Sequence, residues 1–162
     1  MSEPLLVVDA QRGIINEFTQ HTPGRIRCLI ETGDFSPVVF TRFVNSPSSP
    51  YQRLLEWQAC ATPPETDLVD EVDPFVQEDL VFTKEGTTGM SDELAGWLRD
   101  QQFTQISVVG IDTDMCVLKM AMDVFDLGIE PIVLVDCCAS TAGLQAHLIG
   151  LATLSRNIGP HQ

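Results

Sequence analysis

Four segments of the chain are apolar and rich in β-branched residues, with no alternation of polar positions: Leu5–Asp9, Pro37–Thr41, Ile106–Ile111 and Pro131–Asp136. A strand that meets water on one face alternates, so runs like these predict strands covered on both faces, as in a parallel sheet. A fifth run, Asp79–Thr83, is shorter and flanked by acids. Helical periodicity fills the intervals. Arg25–Glu31 predicts a helix before the second strand. Ser91–Gln101 opens with an N-cap serine and two acids, then places Leu94, Trp97 and Leu98 at helical spacing. Met115–Leu127 carries Val117, Met120, Ala121, Val124 and Leu127 on one stripe, and Gly128 follows as its stop. Ser140–Arg156 predicts a last helix with Leu144, Leu148, Leu151 and Ala152 turned inward. Strands alternating with helices imply right-handed crossovers and a doubly wound parallel sheet.

Between the second and fifth runs lies the least regular stretch, Asn45–Glu78, with five prolines. From Leu54 to Thr83 it holds eight acids, and after Arg53 no basic residue precedes Lys84. Such an excursion predicts either a cover over a site or a solvated acidic surface. The chain has 162 residues, one domain's worth spanning 1–162, and its 44% hydrophobic content is enough for an ordinary core. Nine basic against 23 acidic residues leave −14, which argues against nucleic-acid partners and anionic membrane surfaces. The first residues carry no signal-peptide pattern, and no apolar run approaches the roughly 18 residues of a membrane span. Five cysteines (28, 60, 116, 137 and 138) make an odd count without CxxC or zinc-type spacing, which predicts reduced thiols and a cytoplasmic protein.

Ligands of open α/β sheets bind beyond the carboxyl ends of the strands. Three such ends carry reactive groups: Asp9 after the first run, Lys84 after the fifth, and Cys116 in Asp112-Thr113-Asp114-Met115-Cys116 after Ile106–Ile111. A helix N-terminus and a nearby ammonium both favour a thiolate, so Cys116 is expected to have a lowered pKa. Asp9 suits proton transfer, and backbone N–H groups in the 112–116 turn suit a developing oxyanion. The set reads as acyl transfer through a thioester followed by hydrolysis.

The segments Leu5-Leu6-Val7-Val8-Asp9-Ala10-Gln11, Lys84, and Gly110-Ile111-Asp112-Thr113-Asp114-Met115-Cys116-Val117 resemble the isochorismatase-like cysteine hydrolase superfamily, which includes nicotinamidases and N-carbamoylsarcosine amidase relatives. Thr41-Arg42-Phe43-Val44-Asn45 and Asp136…Ser140-Thr141 extend the likeness over nearly the whole chain. The resemblance implies a three-layer αβα Rossmann-like fold with a parallel sheet of five or six strands. It implies a cofactor-independent hydrolase of a small amide, ureido or carbamoyl group. Asp9, Lys84 and Cys116 match the family's catalytic triad. The family has a cis peptide at the position of Ile111–Asp112, and the amides of Asp112 and Cys116 match its oxyanion hole. Relatives commonly form homodimers or homotetramers.

Departures shape the rest. Nicotinamidases carry an Asp-x-His…His metal site after the second strand, where this chain reads Arg42-Phe43-Val44-Asn45-Ser46-Pro47, and His21, His147 and His161 lack ligand spacing. No metal is expected, and His147 is expected to be structural. True isochorismatases place a small residue at the position of Cys116. The stretch Glu85-Gly86-Thr87-Thr88-Gly89-Met90 lacks the aromatics many relatives show there. Phe18, Phe43 and Trp57 are candidate pocket walls, and Gln11 is a candidate polar contact to a small-molecule substrate. The alternatives are a non-catalytic member of the same fold that binds a small molecule or a partner, and a redox sensor pairing Cys116 with Cys137 or Cys138.

Overall fold

The computed structural model describes residues 2–86 and 89–159. Five parallel strands, β1 (Glu3–Val8), β2 (Phe35–Phe43), β3 (Val81–Lys84), β4 (Gln105–Ile111) and β5 (Glu130–Ala139), form one sheet in the order β3-β2-β1-β4-β5. Each contains or overlaps one of the five apolar runs. Among the described residues there is no sixth strand; Pro160–Gln162, His161 included, lie outside them, as do Thr87 and Thr88.

The pleat divides each strand between two cores. Leu6 and Val8 of β1 join Val39, Phe82, Ile106, Val108 and Val133 on one face. That face is covered by α3 (Asp92–Gln101), α4 (Leu118–Asp126) and α5 (Leu144–Ile158) through Leu94, Leu98, Met120, Ala121, Val124 and Leu154. Leu5 and Val7 turn the other way, with Val38, Phe40 and Val109, onto Ile26 of α1 (Thr22–Thr32). One helix does not cover that face. Leu68, Val69 and Val72 of the proline-rich excursion complete the layer, tied to the end of β1 by a bridge between Gln11 and Leu68. The excursion is therefore part of the core as well as an acidic surface. Its acids are exposed or half-buried, and it contains a short helix, α2 (Pro50–Leu55).

Central strands pack closely where glycine allows it. Gly110 pairs with Val8 at φ +131°, and a Cβ there would stand 2.0 Å from the Val8 carbonyl oxygen.

Two helices differ from their sequence patterns. α1 starts at Thr22, three residues before Arg25, with Pro23 in its first turn, where the missing N–H is harmless. α5 starts at Leu144 because Ser140–Gly143 forms a turn, with Gly143 N donating to Ser140 O at 2.9 Å and Gly143 at φ +92°. Its inward row is Gly150, Leu154 and Ile158; Leu144, Leu148 and Ala152 face out, and Leu151 is half-buried. The two rows are offset by two residues, about 200° around the helix, and both are apolar, so periodicity alone does not choose between them. Packing chooses: a Cβ on Gly150 would lie 2.8 Å from the Asp114 backbone, so only a side chain as small as glycine's lets the helix cross there.

Among the described residues no helix is long and apolar enough to cross a membrane.

Candidate active site

β1 delivers Asp9 to the carboxyl edge of the sheet in a left-handed backbone conformation, φ +49°. The neighbouring strand fixes it there. The Thr41 hydroxyl accepts the Asp9 N–H (3.1 Å) and donates to Asp9 Oδ1 (2.7 Å). That leaves Oδ2 to meet Lys84 Nζ at 2.7 Å, with both side chains 1% exposed. Lys84 closes β3 on the edge of the sheet and reaches past β2 to do this, its ammonium 5.4 Å from the centre of the Phe43 ring. The same Nζ donates to Cys116 Sγ at 3.3 Å.

Cys116 sits in a wide π-helical turn, Thr113–Val117, that runs into α4. The Asp112 carbonyl accepts from both Met115 N (3.1 Å) and Val117 N (2.9 Å). The Ile111–Asp112 peptide is cis, as the resemblance implies. The Asp112 carboxylate accepts from Thr141 N (2.5 Å) and Thr141 Oγ1 (2.9 Å), which ties the turn to the end of β5. Burial still raises its pKa above the ordinary aspartate value. His147 packs behind the turn with Nδ1 2.7 Å from Thr113 Oγ1, and burial lowers its pKa.

The electrostatics correct one expectation. Cys116 was expected to be a lowered-pKa thiol, but burial first, and the Asp9 carboxylate second, push it up to about 12 against the opposing pull of Lys84. The resting group is a thiol. Lys84 remains an ammonium: burial works against its charge, but Asp9 and Cys116 together raise its pKa above the usual lysine value.

Over Cys116 opens a cavity of about 560 Å³, within the usual range for small-molecule sites. Asp9, Asp112, Cys116 and Thr141 lie in its wall, together with Phe43 and Trp57. Phe43 and Trp57 stack at 6.0 Å, and Tyr51 of α2 meets both edge-on at 5.4 Å. Tyr51 belongs to no periodic pattern, but Ser49-Pro50, an N-cap followed by a proline in the first helical turn, marks the helix that carries it. Asn45 is the anchor of this segment. Its Nδ2 donates to the carbonyls of Trp57 and Ala59, both at 2.8 Å, while its Oδ1 accepts from Ser49 Oγ.

Two candidates are placed elsewhere. Gln11 is buried; its Nε2 donates to the carbonyls of Phe43 and Thr66, both at 2.9 Å, and its Oε1 accepts from Phe43 N at 2.7 Å. Its amide staples β1, β2 and the excursion rather than facing a ligand. Phe18 is 47% exposed and is not among the cavity residues. All five cysteines are free thiols, and Cys137 and Cys138 are buried within β5. Among the described residues no three His, Cys, Asp or Glu side chains converge as a metal-ligand set.

The protein is an α/β protein whose parallel sheet brings a thiol, an ammonium and a carboxylate together at its carboxyl edge. The chain belongs to the isochorismatase domain family, whose model matches residues 3–160, and this places it among hydrolases. The fold is similar to that of an isochorismatase-like hydrolase from Alkaliphilus metalliredigens, at 19% identity and TM-score 0.84, over 98% of this chain and 93% of that one. It is also similar to N-carbamoylsarcosine amidase from Thermoplasma acidophilum, at 22% identity and TM-score 0.75, over 96% and 92% of the two chains. Nicotinamidase/pyrazinamidase from Bacillus subtilis matches at 21% identity and TM-score 0.73, over 98% and 97%. No curated protein matches the sequence.

Proposed function

We propose that the chain hydrolyses a C–N bond of a small amide, ureido or carbamoyl compound through a thioester on Cys116. The observation that carries this reading is the single ammonium, Lys84 Nζ, in contact with both Asp9 Oδ2 (2.7 Å) and Cys116 Sγ (3.3 Å) beneath the cavity. In the resting site Asp9 is the carboxylate, Lys84 the ammonium and Cys116 the thiol.

A carbonyl carbon held over Sγ is attacked as the thiol proton passes to Asp9. The S–C bond forms, and the carbonyl electron pair moves onto oxygen, opposite the backbone amides of Asp112 and Cys116. The C–O double bond then re-forms and the C–N bond breaks, with the Asp9 proton going to the leaving nitrogen. This need for an acid distinguishes an amine from an alkoxide as leaving group, and it suits a protonated aspartate in a dry site. Asp9, again a carboxylate, takes a proton from water; the hydroxide equivalent attacks the thioester, the S–C bond breaks, and that proton returns to sulfur. The sum is amide plus water to acid plus amine. Lys84 offsets negative charge on sulfur in both halves without itself giving up a proton.

Cys116→Ala is expected to abolish turnover while leaving the thermal transition nearly in place. Acid quench during turnover should leave an acyl mass on the peptide that contains Cys116. Turnover by Cys116→Ala at the wild-type rate rules the thioester out.

A further inference from the structure

The cavity over Cys116 has no charge to offer. Among the described residues that line it there is no Arg, Lys or His. The ammonium below it is paired with Asp9 and Cys116, its side chain 1% exposed. The two carboxylates in the wall are engaged as well: Asp9 by Thr41 and Lys84, Asp112 by both donors of Thr141. Even the amide at the rim is committed, with Asn16 Nδ2 donating to the Thr141 carbonyl and Asn16 Oδ1 accepting from Phe18 N, both at 2.9 Å. Around these groups the wall is mostly apolar, from Ile15, Leu55 and Met115 to the ring cluster of Phe43, Tyr51 and Trp57.

A charged substituent entering such a cavity exchanges water for apolar contacts and finds no counter-ion, so its desolvation goes uncompensated. The excursion that brings Leu55 and Trp57 is acidic, and the chain as a whole carries −14, which disfavours anions further. Tyr51 does not alter this: burial, and then Cys116, raise its pKa, so it is a neutral phenol.

Building on the hydrolase reading above, we propose that the substrate is an uncharged amide with a hydrocarbon acyl body, carbocyclic aromatic or branched aliphatic, and that the cavity rejects analogues bearing either a carboxylate or an ammonium. The distinguishing property is that, among the described residues lining this cavity, no charge of either sign is uncommitted; Lys119, beside Tyr51, Met115 and Cys116 in the adjoining smaller pocket, is paired with Asp123.

Three amides of nearly equal shape test this on the intact wild-type protein: para-methylbenzamide, para-carbamoylbenzoate and para-(aminomethyl)benzamide. At neutral pH the methyl compound is expected to exceed both charged ones in kcat/KM by about tenfold or more. Binding to the Cys116→Ala protein, followed by calorimetry, should show the same order. If none is turned over, the hydrolase reading fails for these compounds, and the binding order alone decides the inference: preference for the methyl compound supports it. Equal or tighter binding of a charged analogue, or no binding at all, overturns it. Leu55 is 68% exposed at the cavity wall, so Leu55→Lys adds an ammonium there without burying it in the core. This variant is expected to raise the carboxylate compound relative to the methyl compound by about fivefold in kcat/KM, or in affinity for the Cys116→Ala background. An unchanged ratio overturns the inference, as does a wild-type protein that handles the carboxylate as well as the methyl compound.

Discussion

Asp9 and Lys84 pull the Cys116 thiol in opposite directions, and the sign of each pull can be tested separately. Asp9 raises the thiol pKa and Lys84 lowers it. Asp9→Asn removes the raising charge, leaving Lys84 to pair with sulfur alone. Alkylation of Cys116 by iodoacetamide at neutral pH should therefore become faster than in wild type, while amide turnover falls about 10²- to 10⁴-fold for want of a proton carrier. A slower alkylation in Asp9→Asn would sink the assignment of charges. Thr41 supports the same carboxylate from the next strand through two hydrogen bonds. Thr41→Val leaves the buried Asp9 N–H unpaired, at a cost of about 1–3 kcal/mol, and frees the carboxylate to turn. It is expected to lower kcat with little change in KM, and Thr41→Ser should restore it. Equal kcat in Val and Ser variants would reduce Thr41 to packing. Asp9, Lys84 and Cys116 are legible in the sequence because each ends or follows an apolar run; Asp9 and Lys84 also belong to residue types that are costly to bury unpaired, whereas a cysteine there reads equally well as core. Thr41 is hidden inside such a run, where a threonine reads as one more β-branched residue. The thiol pKa was misread because it depends on burial and on the distance to Asp9, which spacing along a chain does not contain.

Elements carry these groups, and their contacts set how firmly the turn around Cys116 is held. α5 presses its backbone at Gly150 against Thr113 and Asp114, three and two residues before Cys116. Gly150→Ala puts a methyl 2.8 Å from that backbone, so either the helix or the turn must shift. A loss of about 1–3 kcal/mol in stability is expected, with a drop in kcat larger than the fall in folded fraction explains. Gly96→Ala is the counterpart. Gly96 lies in the interior of α3 with nothing within 4 Å of its would-be Cβ, so alanine should stabilise the protein by about 0.5–1 kcal/mol and leave kcat alone. Thermal denaturation of both variants beside initial rates separates the two outcomes; a Gly150→Ala protein with wild-type kcat would show the turn to be held by other contacts. The five strands were legible because burial on both faces writes itself as uninterrupted apolar residues. α5 was legible as a helix but not in its rotation, since two rows of opposite orientation are both apolar and a glycine holds the inner one. α2 and the Tyr51 it carries escaped because a six-residue helix in a proline-rich loop has too few turns to show a period.

For the whole molecule, acidity is a surface property and the thiols are an interior one, and the two respond to alkali differently. The acids of the excursion face water, and among them Asp70 pairs with Arg12 on the surface, where an ion pair contributes little. The interior holds four thiols whose pKa values burial raises from 9.0: Cys137, Cys60 to about 11, and Cys116 and Cys138 each to about 12. In the unfolded chain these groups ionise near 9, so between that pH and 11 to 12 the folded state binds more protons than the unfolded one. Stability then falls as pH rises, because folding must hold as thiols groups that unfolding releases as thiolates. Their contribution is complete below pH 9 and is lost through the folded-state values. The midpoint of thermal unfolding is expected to hold steady from pH 7 to 8.5 and to drop progressively above 9. Cys138→Ala leaves a small cavity and lowers the midpoint at every pH, but it removes one titrating group and should flatten the alkaline slope; adding Cys60→Ala should flatten it further. Lysine and tyrosine ionisation also destabilise at high pH, and those groups remain in the variants, so the slope difference isolates the thiols. Parallel curves for wild type and the double variant would mean that the buried cysteines ionise as they do in the unfolded chain, and that the interior around Cys138 is wetter than its packing indicates.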